Sequence, residues 1–261
     1  MPLTSGLYWE AEGATTAPAL LLSSGLGGSA HYWAPNIEAL RQHYRVITYD
    51  HRGTGRSDRA LPETVTVSDF AADMLAVLDA VEVGSAHIVG HALGAVAGLT
   101  LAARAPDRLG KLVMVNGWAA PDPHFARCFD ARLALLRDSG VRAYVKAQPI
   151  FLYPADWSSR HTVQLDSEED GHVAAFPAVA TLEARIAALR AFDISLLLDQ
   201  IAAPTLVLSA ADDALVPPSC ADVLAERLPN ATARRMAWGG HACNVTDPEG
   251  FNALVLEYLG S

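Results

Sequence analysis

Short apolar segments alternate with helix-like segments along most of the chain, and this alternation constrains the fold more than any other feature. From Leu20 onward the candidate strands are ALLLSS, RVITYD, AHIVG, KLVMVNG, PTLVLSA and ATARRMAW, and the preceding GLYWE is a candidate antiparallel edge. Between them, segments such as SDFAADMLAVLDAV and LGAVAGLTLAARA place apolar residues three and four positions apart, as helices packed on a sheet do. The alternation predicts an α/β fold with a mostly parallel, doubly wound sheet covered by helices on both faces.

The strand signal is interrupted between Gly117 and Pro204, where only helix-like patterns remain. An insertion after a central strand lies over the carboxyl ends of the strands, which is where open α/β sheets bind ligands. We therefore predict a single domain in which residues 1–117 and 204–261 form the core. Residues 118–203 are predicted to form a helical cap that walls the pocket.

Charge and composition exclude several classes of function. The 261 residues include 19 Lys and Arg against 29 Asp and Glu, a formal net charge of −10, so no strong basic field is present to attract nucleic acid. No run approaches the ~18 apolar residues of a membrane helix, and the first residues lack the basic and apolar parts of a signal peptide. We expect a cytoplasmic protein that acts on a small molecule as a monomer or homodimer, without nucleic-acid or membrane partners.

The segment GHALG has the frame of the G-x-S-x-G turn, in which a strained strand-to-helix turn exposes a nucleophilic serine. The frame residues are Gly90, His91, Leu93 and Gly94, but the central position is Ala92. A methyl group cannot attack a carbonyl. Either the pattern is accidental, or the nucleophile was replaced, or the chemistry needs none.

An acid and a base follow this turn at the ends of later strands. Asp213 lies in DDALVP after a candidate strand, with Asp212 as the competing acid, and His241 lies in GGH after the last candidate strand. The positions of Ala92, Asp213 and His241 follow the order nucleophile, acid, base that accompanies such turns. A lone Asp or His is more often structural, but the order and the strand ends coincide here.

Two backbone groups are candidate donors to a developing oxyanion. Glycines in SGLGGS allow the N–H of Leu26 to face the pocket, and the N–H of Leu93 follows the nucleophile position. Because both are main-chain groups, neither depends on a serine at position 92.

Cofactor and metal sites are not expected. The pattern Gly25-x-Gly27-x-x-Ala30, with Asp50 ending the next strand, matches a dinucleotide-binding loop. However, Trp33 and Pro35 fall where the helix facing the pyrophosphate should start, which leaves this interpretation a minor alternative. The acidic run SEEDGH is typical of a solvated surface rather than of a metal site. The scattered cysteines form no C-x-x-C pair: Cys128, Cys220 and Cys243.

The segments SGLGGS, YDHRGTGRSD, GHALG, DDALVP and GGH resemble the α/β-hydrolase superfamily. More narrowly, LSSGLGGSAHYW, VNGW, RCF, AQPIFLYPADW and GGHACNVTDPEGFNAL resemble the hydrolase family of the Rut pyrimidine-degradation pathway over nearly the whole chain. The resemblance implies an α/β-hydrolase fold with a helical cap and action on aminoacrylate or carbamate, which are labile products of uracil ring opening. It also implies that alanine at position 92 is native to the family.

These observations predict a water-attack mechanism without a serine nucleophile. His241 is the predicted general base, Asp213 orients its imidazole, and Ala92 leaves room for the water. Alternatively, protonated His241 donates a proton to the enamine carbon of aminoacrylate. Candidate substrate-binding residues are Ser24, Asn116, Tyr153, Trp157 and Asn244. Two other functions stay open, a serine esterase whose nucleophile was replaced by Ala92 and a non-catalytic ligand-binding pseudo-hydrolase.

Overall fold

A computed structural model of the chain describes residues 3–62 and 64–260. Within these residues, eight strands form one sheet in the order β1-β2-β4-β3-β5-β6-β7-β8. The strands are β1 (Leu3–Thr4), β2 (Leu7–Glu12), β3 (Ala19–Ser23), β4 (Arg45–Tyr49), β5 (Ala86–His91), β6 (Leu109–Val115), β7 (Thr205–Ala210) and β8 (Ala231–Met236). Strands β3 to β8 are parallel, whereas β2 pairs antiparallel with β4. The predicted parallel sheet and its antiparallel extension are confirmed, although β1 extends the sheet one strand further.

Helices cover both faces of the sheet because residues along each strand alternate between two apolar clusters. They are α1 (Ala34–Leu40), α2 (Val67–Ala80), α3 (Leu93–Arg104), α4 (Pro123–Leu152), α5 (Ala155–Arg160), α6 (Thr162–Ala174), α7 (Val179–Ala191), α8 (Pro218–Arg227), α9 (Cys243–Thr246) and α10 (Pro248–Gly260). On β3, Leu21 belongs to the cluster with α2, α3 and α8, while Leu20 and Leu22 belong to the cluster with α1 and α10. The doubly wound arrangement follows from this period-two pattern.

The segment between β6 and β7 contains α4 to α7 and the 3₁₀ helix Ser195–Gln200. Helix α4 is broken at Gly140, whose φ of 85° lies in the left-handed region that glycine tolerates. Its last residue, Leu152, accepts a hydrogen bond from the Ala242 N–H in the loop after β8 (2.9 Å). Helices therefore contact the loops at the carboxyl ends of the strands. The division into a core and a cap at residues 118–203 stays a prediction.

Carboxylates of two segments, the possible dinucleotide-binding loop and the acidic run, form contacts within the protein. The Asp50 carboxylate accepts hydrogen bonds from the Ala30 N–H (2.8 Å) and the Arg56 side chain (2.8 Å). In the acidic run on α6, Arg142 forms ion pairs with Glu169 (2.6 Å) and Asp170 (2.8 Å).

No single helix within residues 3–62 and 64–260 is long and apolar enough to cross a membrane. Helices α6 and α7, which are bent by 104° relative to each other, pass the length and composition criteria only as a pair.

Candidate active site

The GHALG turn keeps the backbone of a nucleophile turn without its serine. Strand β5 ends at His91, helix α3 begins at Leu93, and Ala92 between them has φ 48° and ψ −105°. Such a conformation costs a residue with a β-carbon on the order of 1–3 kcal/mol, so the surroundings must enforce it. The Ala92 N–H donates to the Val115 carbonyl (3.0 Å) and the Gly94 N–H donates to the Ser24 carbonyl (3.0 Å).

His241 and Asp213 form a buried hydrogen-bonded pair at the end of the sheet. The His241 Nδ1 atom lies 2.8 Å from Asp213 Oδ2, and their side chains are 3% and 1% exposed. The other carboxylate oxygen accepts the N–H groups of Leu215 (2.8 Å) and Val216 (2.9 Å). Because the Asp213 oxygen that faces His241 can accept a hydrogen bond, the imidazole proton is assigned to Nδ1, which leaves Nε2 as a proton acceptor.

Asp212, the competing acid, has a different contact. Its carboxylate accepts the Gly240 N–H (2.8 Å) and so holds the loop that carries the histidine. Geometry therefore places Asp213, not Asp212, beside His241.

His91 supports the loop that carries His241. Its Nε2 atom donates to the His241 carbonyl (2.8 Å), and its ring stacks on Tyr32 with centroids 4.9 Å apart. Burial lowers the pKa of His91 well below its usual range, and the neighbouring His241 acts in the same direction. A neutral His91 is consistent with its single donated hydrogen bond, which positions the loop.

The loop after β3 lies against the turn at Ala92. A β-carbon at Gly25 would lie 2.8 Å from His91 Nδ1 and 3.5 Å from the Ala92 β-carbon, so only glycine permits this approach. In the described part of the chain, neither the Leu26 N–H nor the Leu93 N–H has a hydrogen-bond acceptor. Leu26 follows Gly25 on this loop and Leu93 follows Ala92, so both predicted oxyanion donors belong to the segments that meet at the turn; their role stays a prediction.

The loop that carries Leu26 is held by a buried arginine from α7. Arg185 is fully buried, and its Nε and Nη2 atoms donate to the Leu26 carbonyl (3.2 and 2.9 Å). Its Nη1 atom donates to the Arg52 carbonyl (2.9 Å), and Nη2 lies 3.2 Å from His51 Nδ1. Sequence reasoning missed Arg185 because no motif surrounds it. The sequence feature that could have revealed Arg185 is its charge at a helix position where the spacing of Leu182 and Leu189 predicts an apolar residue.

Two of the five predicted substrate-binding residues hold the site together. The Asn116 amide donates to the His241 carbonyl (2.8 Å) and accepts the Ala210 N–H (3.1 Å). The Asn244 amide accepts the Tyr32 hydroxyl (2.6 Å) and donates to the Asn36 side chain (3.1 Å). Their amides thus face protein atoms rather than an open pocket.

The other three residues differ in their surroundings. Ser24 is buried, and its hydroxyl has no hydrogen-bond partner among the described residues. Tyr153 packs against Trp157 (4.6 Å between centroids), and Trp157 stacks on His161 (3.9 Å). Ser24 therefore keeps a free polar group beside the turn, whereas Trp157 belongs to the packing of α5. Substrate contact by any of the five residues stays a prediction.

Comparison with known proteins identifies the family of the chain. A family model described as alpha/beta hydrolase fold matches residues 18–248. A Caulobacter segnis protein named "Putative carbamate hydrolase RutD" is 56% identical over 97% of this chain and 96% of its own length. A Variovorax paradoxus protein of the same name is 51% identical over 97% and 96%.

Solved structures show the same fold. A hydrolase from Pseudomonas aeruginosa PA01 superimposes with a TM-score of 0.87 at 30% identity, covering 98% of this chain and 94% of that one. The enol-lactonase from Burkholderia xenovorans LB400 superimposes with a TM-score of 0.89 at 26% identity, covering 100% and 99%. The chain belongs to the α/β-hydrolase family and, within it, to the RutD-like hydrolases.

Proposed function

We propose that this hydrolase releases ammonia from carbamate or aminoacrylate by attack of water, without a covalent intermediate. The observation that carries the proposal is the buried His241–Asp213 pair beside a nucleophile turn occupied by Ala92: the His241 ring lies 4.6 Å from that of His91, the residue before Ala92. The names of the RutD relatives support carbamate as a substrate. Aminoacrylate is the second candidate, because it is also a small labile anion that loses ammonia to water.

The geometry supports a defined role for each group. Nε2 of His241 accepts a proton from water as the oxygen bonds to the substrate carbon, and Asp213 stabilises the imidazolium that forms. The N–H groups of Leu26 and Leu93 stabilise the developing negative charge. For carbamate, the C–N bond then breaks as His241 returns the proton to nitrogen, so carbamate and water give bicarbonate and ammonia. For aminoacrylate, protonated His241 gives its proton to the enamine carbon, water adds to the iminium carbon and ammonia leaves.

The energetics favour labile substrates over stable ones. Removal of the serine from a serine hydrolase costs about a million-fold in turnover, while binding and the oxyanion donors retain roughly a thousand-fold over water. A thousand-fold corresponds to ~4 kcal/mol of barrier. That acceleration is useful for a carbamate or an enamine, which already decompose in water, and negligible for a stable amide or ester.

The test compares two histidine substitutions by the initial rate of ammonia release above the spontaneous rate. We expect His241→Ala to lower this rate at least about a hundred-fold, since it removes the general base. His91→Gln should lower it less than about tenfold, because the glutamine amide can still donate to the His241 carbonyl. Equal losses in both variants contradict the general-base role. No release above background by the unmodified protein contradicts the enzymatic proposal.

A further inference from the structure

Arg132 on α4 is a buried cation whose hydrogen-bonding capacity is only partly used. Arg132 is 4% exposed, and its Nη2 atom donates to the Tyr144 hydroxyl (2.8 Å) and to the side-chain oxygen Oε1 of Gln148 (2.7 Å). Its Nε atom is buried without a partner among residues 3–62 and 64–260. Within the same residues, no carboxylate forms an ion pair with this guanidinium.

The surroundings of Arg132 offset its burial only in part. The guanidinium lies 5.1 Å from the ring of Phe129, 5.2 Å from that of Tyr144 and 5.5 Å from that of Phe151. Aromatic faces attract a cation, but they do not accept the N–H groups as an anion does. Burial lowers the pKa of Arg132. A buried charge without a counter-ion is costly, so binding of an anion from solution would offset the cost of burying this guanidinium.

Arg185 provides an internal comparison. It too is buried without a carboxylate, yet its three nitrogen atoms all have acceptors, two of which are backbone carbonyls. Arg185 therefore has a complete structural role. Arg132 differs because one of its buried donors has no acceptor.

Arg132 lies between the segments that carry the proposed acid and base. One turn before it on α4, the Cys128 Sγ atom lies 3.7 Å from the carbonyl of Ala214, the residue after Asp213. On the other side, Phe151 precedes Leu152, whose carbonyl accepts the N–H of the residue after His241. The guanidinium thus belongs to the same end of the protein as the candidate site.

We infer that Arg132 binds the carboxylate of a small anionic substrate. The inference rests on the proposed function for the identity of the site, and it explains how a chain with a net charge of −10 attracts an anion. Carbamate and aminoacrylate share this carboxylate. In carbamate it is the group that reacts, whereas in aminoacrylate it is separate from the reacting carbon.

Binding of unreactive analogues tests this inference by calorimetric titration. Acetate has the shape and charge of carbamate, and acrylate has the carboxylate and double bond of aminoacrylate. Acetamide and acrylamide are their neutral counterparts. We expect at least one carboxylate to bind at least about tenfold more tightly than its amide. Tighter binding of acetate than of acrylate indicates that carbamate is the substrate. The opposite order indicates aminoacrylate.

Three variants assign the preference to Arg132. Arg132→Met should abolish the tighter binding of the carboxylate over its amide. Arg132→Lys should retain only part of this difference in affinity, since lysine keeps the charge but lacks the Nε–H. Arg137→Met is the matched control on the same helix, because Arg137 is exposed and pairs with Glu183 (2.7 Å). It should bind like the unmodified protein.

Thermal unfolding separates binding from a structural role. Removing an unpaired buried charge should leave the unfolding temperature of ligand-free Arg132→Met unchanged or raised, while stabilisation by the carboxylate disappears. If Arg132→Met does not fold, the carboxylate affinity of Arg132→Lys tests the inference, which requires that affinity to be lower than in the unmodified protein. Unchanged carboxylate binding in the variants overturns the inference. Carboxylate binding through Arg132 without ammonia release supports the inference and contradicts the proposed function alone.

Discussion

Ala92 occupies a backbone conformation that a β-carbon disfavours, although it carries no group that needs to be presented. Its φ of 48° is maintained by hydrogen bonds to β6 and by the close approach of Gly25. The turn therefore keeps the position of a nucleophile while the space of the hydroxyl is free. In the proposed mechanism, the attacking water uses that space.

The retained turn predicts a gain of covalent chemistry in Ala92→Ser. In the proposed site, His241 and the two backbone donors act at this turn, so the new hydroxyl should be acylated by p-nitrophenyl acetate. Mass spectrometry should detect an acetyl group on residue 92, with none there in the unmodified protein or in Ala92→Ser combined with His241→Ala. An unacylated Ala92→Ser protein would mean that the turn and the base are out of register.

The sequence predicts the position of a side chain best where a motif fixes its place. Asp213 and His241 follow from chain order and strand ends, and the structure brings them together. Asn244 was predicted to bind substrate, but its amide contacts Tyr32 and Asn36, which are more than two hundred positions away along the chain. Arg132 has no motif at all. Its significance depends on the absence of a counter-ion in three dimensions, which no local pattern encodes.

At the scale of elements, the start of α3 is fixed by its contact with the end of β3. A β-carbon at Gly94 would lie 2.1 Å from the Ser23 carbonyl oxygen, so only glycine allows the helix to begin there. The same contact lets the Gly94 N–H reach the Ser24 carbonyl. The strand end and the helix start therefore hold the Leu26 and Leu93 donors in a fixed relation.

This packing predicts different outcomes for two glycines on one helix. Gly94→Ala should lower the free energy of unfolding by about 2 kcal/mol or more, because its new methyl meets backbone. Gly98→Ala should cost less, since its methyl meets the Leu112 side chain and alanine favours a helix by ~1 kcal/mol. Urea unfolding measures both variants. A similar loss at both positions would contradict the proposed contact.

The alternation of strands and helices predicted the sheet, because its period is a local property of the chain. The break in α4 at Gly140 was not predicted, since an isolated glycine in a helical pattern is usually tolerated. The loss of the strand signal predicts the boundaries of the inserted segment, but it does not predict that segment's contacts with the candidate site. Those contacts depend on Leu152 and Arg185, which no repeated pattern distinguishes.

At the scale of the whole molecule, two buried histidines couple folding to pH. Burial lowers the pKa of His51 well below its usual range, and the adjacent Arg185 cation adds to this effect. His51 also contacts Tyr49 and Ser23, and His91 contacts Tyr32 and His241. Both imidazoles are neutral in the folded protein at neutral pH. The unfolded chain binds protons there at about pH 6.5.

Stability should therefore be complete above about pH 6.5 and decline as the pH falls below it. Below this pH the unfolded state binds protons at these histidines and the folded state does not. The free energy of unfolding therefore falls with a slope approaching ~1.4 kcal/mol per pH unit for each histidine. Urea unfolding at several pH values from 7.5 to 5.5 measures this slope. His91→Gln should reduce it, and His31→Gln should not, because His31 is exposed. An unchanged slope in His91→Gln would contradict a neutral buried imidazole.

Arg185 couples the position of α7 to the loop after β3, because its guanidinium holds the carbonyl of Leu26. A movement of α7 away from the sheet would break these hydrogen bonds and release the loop that carries Leu26, a predicted oxyanion donor. If ligand enters by such a movement, the proposed site is complete only after α7 has returned and Arg185 again holds the Leu26 carbonyl.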